Sequence, residues 1–148
     1  MYSLLLILHS YLRWAVLILA VVVIVRALMG LTQKAAFTGG DARNGLLFMI
    51  SCDIQLLIGL LLYFWLSPVG LAAFDTGEAM KNPALRYFAV EHIAVMVIAW
   101  ILVHVGRSRT KKLTNDLARH RTALIFYGIA LLLMLSRIPF ADRPLFRS

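Results

Sequence analysis

Residues 4–25, LLLILHSYLRWAVLILAVVVIV, decide the fold class of this chain. The segment is almost entirely apolar, and it is long enough for an α-helix to cross a bilayer, which takes roughly 20 residues. It nevertheless carries His9 and Arg13, which are four residues apart and therefore share one helix face. Ionisable groups in hydrocarbon are costly, so such residues usually face the interior of a helix bundle and mark a functional site.

Three further apolar segments follow. The chain is 61% hydrophobic and 15% charged, and its mean hydropathy is +0.84. A soluble domain contains more charge than this. We predict spans at residues 4–29, 45–66, 85–105 and 122–138, within a single transmembrane domain that covers residues 1–148. Because the connections are short, the predicted fold is an all-α, up-down-up-down bundle of four transmembrane helices, in which the first and third helices are diagonal.

The N-terminal segment is interpreted as a retained helix. It lacks a basic region before the apolar run, and no small-residue cleavage site follows it. The single cysteine, Cys52, lies inside a predicted span, so no disulfide framework is expected. The net charge of +8 is concentrated at the edges of the spans. Topology and contact with the lipid bilayer account for charge placed there, and no nucleic-acid partner is indicated.

Basic residues also predict the orientation. The connection between the third and fourth spans is the most basic, and the first connection contains Lys34 and Arg43. The middle connection balances its two basic residues with acids. By the positive-inside rule, the first and third connections are cytoplasmic. Both termini and the middle connection then face outward, on the side opposite the cytoplasm.

Two histidines fall at matching depth under this topology. His9 lies one to two turns into the first span from the outer surface, and His92 lies about as deep in the third. Two imidazoles that face each other across a bundle are the ligands that a bis-histidine haem b requires. The alternative is that each histidine forms an interhelical hydrogen bond with no cofactor.

The neighbouring polar residues suit a haem site. Arg13, Arg86 and Lys81 are cations on the same half of the membrane and could pair with the propionates. Glu91 or Ser10 could accept a hydrogen bond from the second ring nitrogen of a ligand histidine and so select its tautomer.

The remaining polar residues of the spans have less specific interpretations. Asp53 and Arg13 are predicted to form a structural ion pair between the first two helices, with Glu91 as a second candidate partner for Arg13. His104 is twelve residues after His92 and points about 120° away from it, so it is expected at the cytoplasmic interface. His120 is expected to be solvated in the basic connection.

Four segments carry a family resemblance. LHSYLRWAVLIL, DIQLLIGLLLYF, LRYFAVEHIAVMVIA and RTALIFYGIALLL together resemble a family of small bacterial four-helix membrane proteins that is generally labelled cytochrome B, or cytochrome b-like. The similarity covers nearly the whole chain, with the motifs in the same order. It implies a haem-binding electron-transfer protein whose histidines correspond to His9 and His92. Some relatives carry a further histidine in the second segment, where this chain has Asp53.

The predicted function is electron transfer through one b-type haem, as part of a quinone-linked complex or together with other membrane subunits. The chain is then an electron carrier rather than a stand-alone catalyst. Two alternatives stay open. One is a haem-free accessory subunit of an inner-membrane complex. The other is a proton- or ion-conducting protein that uses Arg13, Asp53 and Glu91.

Overall fold

A computed structural model describes residues 1–140 of the chain, and it confirms the predicted all-α, four-helix fold. Within that range, four helical segments are long and apolar enough to cross a membrane: Tyr2–Thr32, Gly39–Thr76, Pro83–Lys112 and Asp116–Ser136. The first three extend beyond the predicted spans at both ends, whereas the fourth begins before the predicted residue 122 and ends at Ser136, two residues before the predicted end at residue 138.

Helix α1 (Tyr2–Thr32) turns a stripe of small residues inward. Ala20, Ala27 and Gly30 are buried, whereas Ile18 and Leu28 are exposed. Small residues at the contact let helix backbones approach closely, and the large apolar side chains are left to face lipid.

Helix α2 (Gly39–Leu61) starts before the predicted residue 45 because a capping box precedes it. The backbone N–H of Asp41 donates to Thr38 Oγ1, and the backbone N–H of Thr38 donates to Asp41 Oδ2. Asp41 also pairs with Arg26 of α1 at 2.6 Å. At its other end the helix continues into a π-helical turn, Leu62–Leu66.

A 3₁₀-helix precedes the third span, Pro83–Lys112, which itself combines three helical pieces. This 3₁₀-helix, Leu71–Thr76, fills the connection and ends at Gly77, whose φ of 72° lies in the left-handed region that favours glycine. Asn82 then caps the short helix α3 (Pro83–Arg86). A π-helical segment, Tyr87–His92, joins α3 to α4 (Ile93–Lys112).

Helix α5 (Asp116–Ser136) begins well before the predicted residue 122, with Asn115 as its cap. Its extra turn places His120 against Gly30, where the imidazole is 2% exposed. The prediction of a solvated His120 is therefore wrong. His120 Nε2–H instead donates to the carbonyl of Ala35 at 3.1 Å.

The helices pack in the predicted cyclic order. α1 packs against α2 and α5, and α4 packs against the same two helices, so α1 and α4 are diagonal. The core includes Phe48, Val103 and Tyr127, and the rings of Phe48 and Tyr127 meet edge to face at 5.4 Å. This core fills the cytoplasmic half by the predicted topology and leaves a cavity in the other half.

Candidate functional site

His9 and His92 are brought together as predicted, across the centre of the bundle. Their ring centroids are 6.4 Å apart, and the ring planes are inclined at 68°. A metal held between two imidazoles, with metal–nitrogen bonds of about 2 Å, places the ring centroids about 6 Å apart. The observed separation of the centroids is compatible with one metal ion between the rings and also with direct edge-to-face packing of the two imidazoles.

His92 is held in a defined tautomer. It is the last residue of the π-helical segment Tyr87–His92, and π-helical turns occur frequently at functional sites. Its Nδ1 lies 2.9 Å from the carbonyl oxygen of Arg137, just beyond α5. A carbonyl only accepts, so Nδ1 carries the hydrogen and the lone pair is on Nε2. Histidines that bind metals are typically held in this way.

His9 is positioned by two residues of α2. Gln55 Nε2 donates to the backbone carbonyl of His9 at 2.9 Å. One turn along α2, Gly59 leaves room for the ring, because a Cβ there would lie 3.2 Å from His9 Cε1. Among the described residues, no group forms a hydrogen bond with the buried His9 Nδ1.

A cavity surrounds the two histidines. Its water-accessible volume is about 200 Å³. One water position needs roughly 10–15 Å³, so the cavity is far larger than a packing defect. The wall is mainly apolar with a few polar side chains, as in small-molecule and cofactor sites generally. Besides the histidines it includes Arg13, Gln55, Tyr63, Met96 and Trp100.

The cavity offers the two imidazoles of His9 and His92 as donors. Across residues 1–140, no group of three or more His, Cys, Asp or Glu side chains is placed to hold a metal ion. Two opposed imidazoles supply the two axial ligands of a haem iron, whose other four ligands come from the porphyrin. His9 and His92 would therefore hold the group, and the apolar wall would contact its faces.

One of the three predicted propionate partners lines the cavity. Arg13 is in the wall, and its Nη2 donates to Ser10 Oγ at 3.4 Å. Within the described chain, that wall contains neither Arg86 nor Lys81. Arg86 pairs with Glu91 at 3.2 Å, and Lys81 pairs with Glu78 at 3.8 Å on the surface.

The prediction that Glu91 accepts a hydrogen bond from the second ring nitrogen of a ligand histidine is wrong for His92. Glu91 precedes it in the chain, and successive residues of a helix point about 100° apart. Glu91 therefore turns to Arg86, while His92 donates to the carbonyl of Arg137.

Asp53 has different partners from the one predicted. Its Oδ1 accepts from Trp100 Nε1 at 2.7 Å and lies 2.6 Å from His104 Nε2. Similar depth in the membrane predicts Arg13 as the partner of Asp53, but the rotation of side chains along α2 turns Asp53 away from α1, the helix that contains Arg13. Gln55 faces α1, and Asp53, two residues earlier, points about 200° away, toward α4. His104 is correspondingly part of this cluster.

Several residues of the site were not predicted from the sequence. Gln55 and Gly59 of α2 and Tyr63 of the π-helical turn that continues it recur every four residues, which is the signal that could have found them. Tyr63 also joins the two π-helical segments, since its hydroxyl donates to the carbonyl of Ala89 at 2.8 Å. Comparison of the chain with models of known families, with curated proteins and with solved structures gives no match.

Proposed function

We propose that this protein is a membrane electron carrier that holds one b-type haem between His9 and His92. The observation that carries the proposal is the 6.4 Å separation of the two rings across a large cavity. The resemblance to the cytochrome b-like family stays a prediction from the sequence, because no family model matches the chain. When bound, a haem supplies reversible one-electron chemistry at its iron.

The residues of the chain have separable roles in this proposal. His92 presents Nε2 because its Nδ1–H is held by the carbonyl of Arg137. His9 is held at its backbone by Gln55, and Gly59 leaves space beside its ring. Arg13 places a positive charge at the cavity wall, which would favour the more negative reduced state and so raise the reduction potential.

The cellular setting is also a proposal. Four apolar helices make this a membrane protein by length and composition. The membrane would be a bacterial inner membrane, and the distribution of basic residues favours an orientation with both termini on the periplasmic side. The electron partners would be a quinone or other membrane subunits of the same complex.

A spectroelectrochemical titration tests the proposal. The protein is expressed with sufficient haem, purified in mild detergent and titrated while the visible spectrum is recorded. We expect one haem for each chain and a reversible transition that fits a single one-electron step. A colourless protein, or a pigment that does not titrate, would favour the haem-free accessory subunit instead.

A further inference from the structure

A polar cluster of Asp53, Trp100 and His104 lies on the outside of the bundle, between α2 and α4. His104 Nε2 is 2.6 Å from Asp53 Oδ1, and the same oxygen accepts from Trp100 Nε1 at 2.7 Å. The rings of Trp100 and His104 are stacked, with centroids 4.5 Å apart. The cluster thus joins the two helices through one carboxylate oxygen.

This cluster faces outward and extends from the predicted cytoplasmic edge of the third span, which ends at residue 105, toward the apolar part of α2. The side chains of Asp53 and His104 are 40% and 35% exposed. Leu57, one turn from Asp53, is 59% exposed, and Ile101, one turn from His104, is 46% exposed. Between residue 45, where the predicted span begins, and residue 53, α2 rises about 12 Å. Ionisable groups that are exposed at such depth are rare and usually functional.

The hydrogen-bond donors and acceptors of Asp53 and His104 indicate what kind of ligand the cluster can bind. In the neutral imidazole, in which Nε2–H donates to Asp53, His104 Nδ1 is an acceptor. Asp53 Oδ2 is an acceptor as well. Within the part of the chain that the structure describes, no donor to either atom is present. The exposed side of the cluster therefore matches a ligand with O–H donors and an apolar body that dissolves in the bilayer.

We propose that Asp53 and His104 bind the hydroxyl group of a membrane-dissolved quinol. A quinol offers O–H donors on a flat ring, and Trp100 supplies an aromatic wall beside them. The oxidised quinone has only carbonyl acceptors, so the same cluster binds it more weakly. A carboxylate and an imidazole can also take up the protons that a quinol releases.

Trp100 connects this cluster to the histidine cavity, because it lines the cavity and also donates to Asp53. Between His92 and Trp100 the helix rises about 12 Å.

The redox consequence rests on the proposed function. Oxidation of one quinol breaks two O–H bonds and releases two protons and two electrons. The protons would pass to His104 and Asp53 and then to water. Two oxidised haems, in two copies of the protein, would each accept one of the electrons, so that one quinol and two ferric haems would give one quinone, two protons and two ferrous haems.

Binding is tested first, without haem. Isothermal titration calorimetry of the unloaded protein in detergent uses decylubiquinol under anaerobic conditions. The variants are Asp53→Asn and His104→Phe, and Ile101→Ala serves as a matched lipid-facing control. We expect saturable binding to the wild type and the control, at least tenfold weaker binding to both cluster variants, and weaker binding of decylubiquinone. Absence of binding, equal binding by all variants, or equal affinity for quinone and quinol would overturn the proposal.

The haem-loaded protein separates this inference from the proposed function. We expect decylubiquinol to reduce the wild-type haem at least ten times faster than that of Asp53→Asn, while dithionite reduces both equally. A haem that dithionite reduces but quinol does not would leave the proposed function standing and remove the quinol site. A haem-free protein that still binds quinol through Asp53 would do the reverse. A wild-type dimer that ignores quinol and dissociates in Asp53→Asn would assign the cluster to contact between two copies.

Discussion

The rings of His9 and His92 lie 6.4 Å apart although the two residues belong to diagonal helices of the bundle. Side chains on diagonal helices meet only across the centre of a bundle, so this pair spans the cavity instead of joining neighbouring helices. Each histidine is separately supported, His9 through Gln55 at its backbone and His92 through the carbonyl of Arg137 at its ring.

Replacement of either histidine should remove the haem. We expect His9→Ala and His92→Ala each to lower haem content at least tenfold, because one axial bond to the iron is lost. His104→Ala is the matched control, since His104 is also on the third span but belongs to the Asp53 cluster. The measurement is haem content per chain after purification, with elution volume in detergent as the check on folding. Equal losses in all three variants would count against the assignment.

Gly59 should be intolerant of a large side chain. Its missing Cβ faces His9 Cε1 at 3.2 Å, so Gly59→Leu would push into the ring or into the cavity. We expect haem content to fall at least tenfold in Gly59→Leu. The control is Gly128→Leu, because a Cβ at Gly128 meets nothing within 4 Å. Full haem content in Gly59→Leu would show that His9 does not need this space.

Gly30 and His120 should be energetically coupled. A Cβ at Gly30 would overlap the imidazole of His120, which is buried at the end of the bundle opposite the histidine cavity. We expect Gly30→Ala to lower the free energy of unfolding by about 1–3 kcal/mol through overpacking.

Denaturant unfolding in detergent measures this coupling, with Gly39→Ala as the control because a Cβ there meets nothing within 4 Å. In the double variant Gly30→Ala/His120→Ala, the effects should not add, because the Cβ enters space that the ring has left. Simple additivity would argue against the contact.

The predicted orientation can be checked with single cysteines. Lys81 is exposed in the middle connection, and Lys112 ends α4 in the basic region. We expect a membrane-impermeant maleimide to label Lys81→Cys in intact spheroplasts, and Lys112→Cys only after the membrane is permeabilised. The native Cys52 is buried and should stay unlabelled. The opposite pattern would reverse the topology.

The depth of a residue in the membrane could be predicted from the sequence better than the direction in which its side chain points around the helix axis. Hydropathy placed the four helices, and counting from the outer surface brought His9 and His92 to one level. The same counting paired Arg13 with Asp53, but residue spacing on α2 turns Asp53 toward Trp100 and His104. The rotation along the helix between His92 and His104, in contrast, predicts that these two residues lie on different faces of the third span, and the structure agrees.

Neither the burial of His120 nor the presence of the two π-helical segments could be predicted from a pattern in the sequence. His120 is buried because α5 starts at Asp116 and because Gly30 on another helix leaves a notch for the ring. Such a fit depends on how two distant helices pack. The π-helical segment Tyr87–His92 is likewise held from outside, by the Tyr63 hydroxyl on the carbonyl of Ala89.

Visible spectra of the purified, haem-sufficient protein in its oxidised and dithionite-reduced forms decide whether His9 and His92 hold a haem. We predict the sharp reduced α and Soret bands of a six-coordinate b-type haem, with both bands absent from His92→Ala. A colourless wild-type protein, or bands that persist unchanged in His92→Ala, would contradict this prediction.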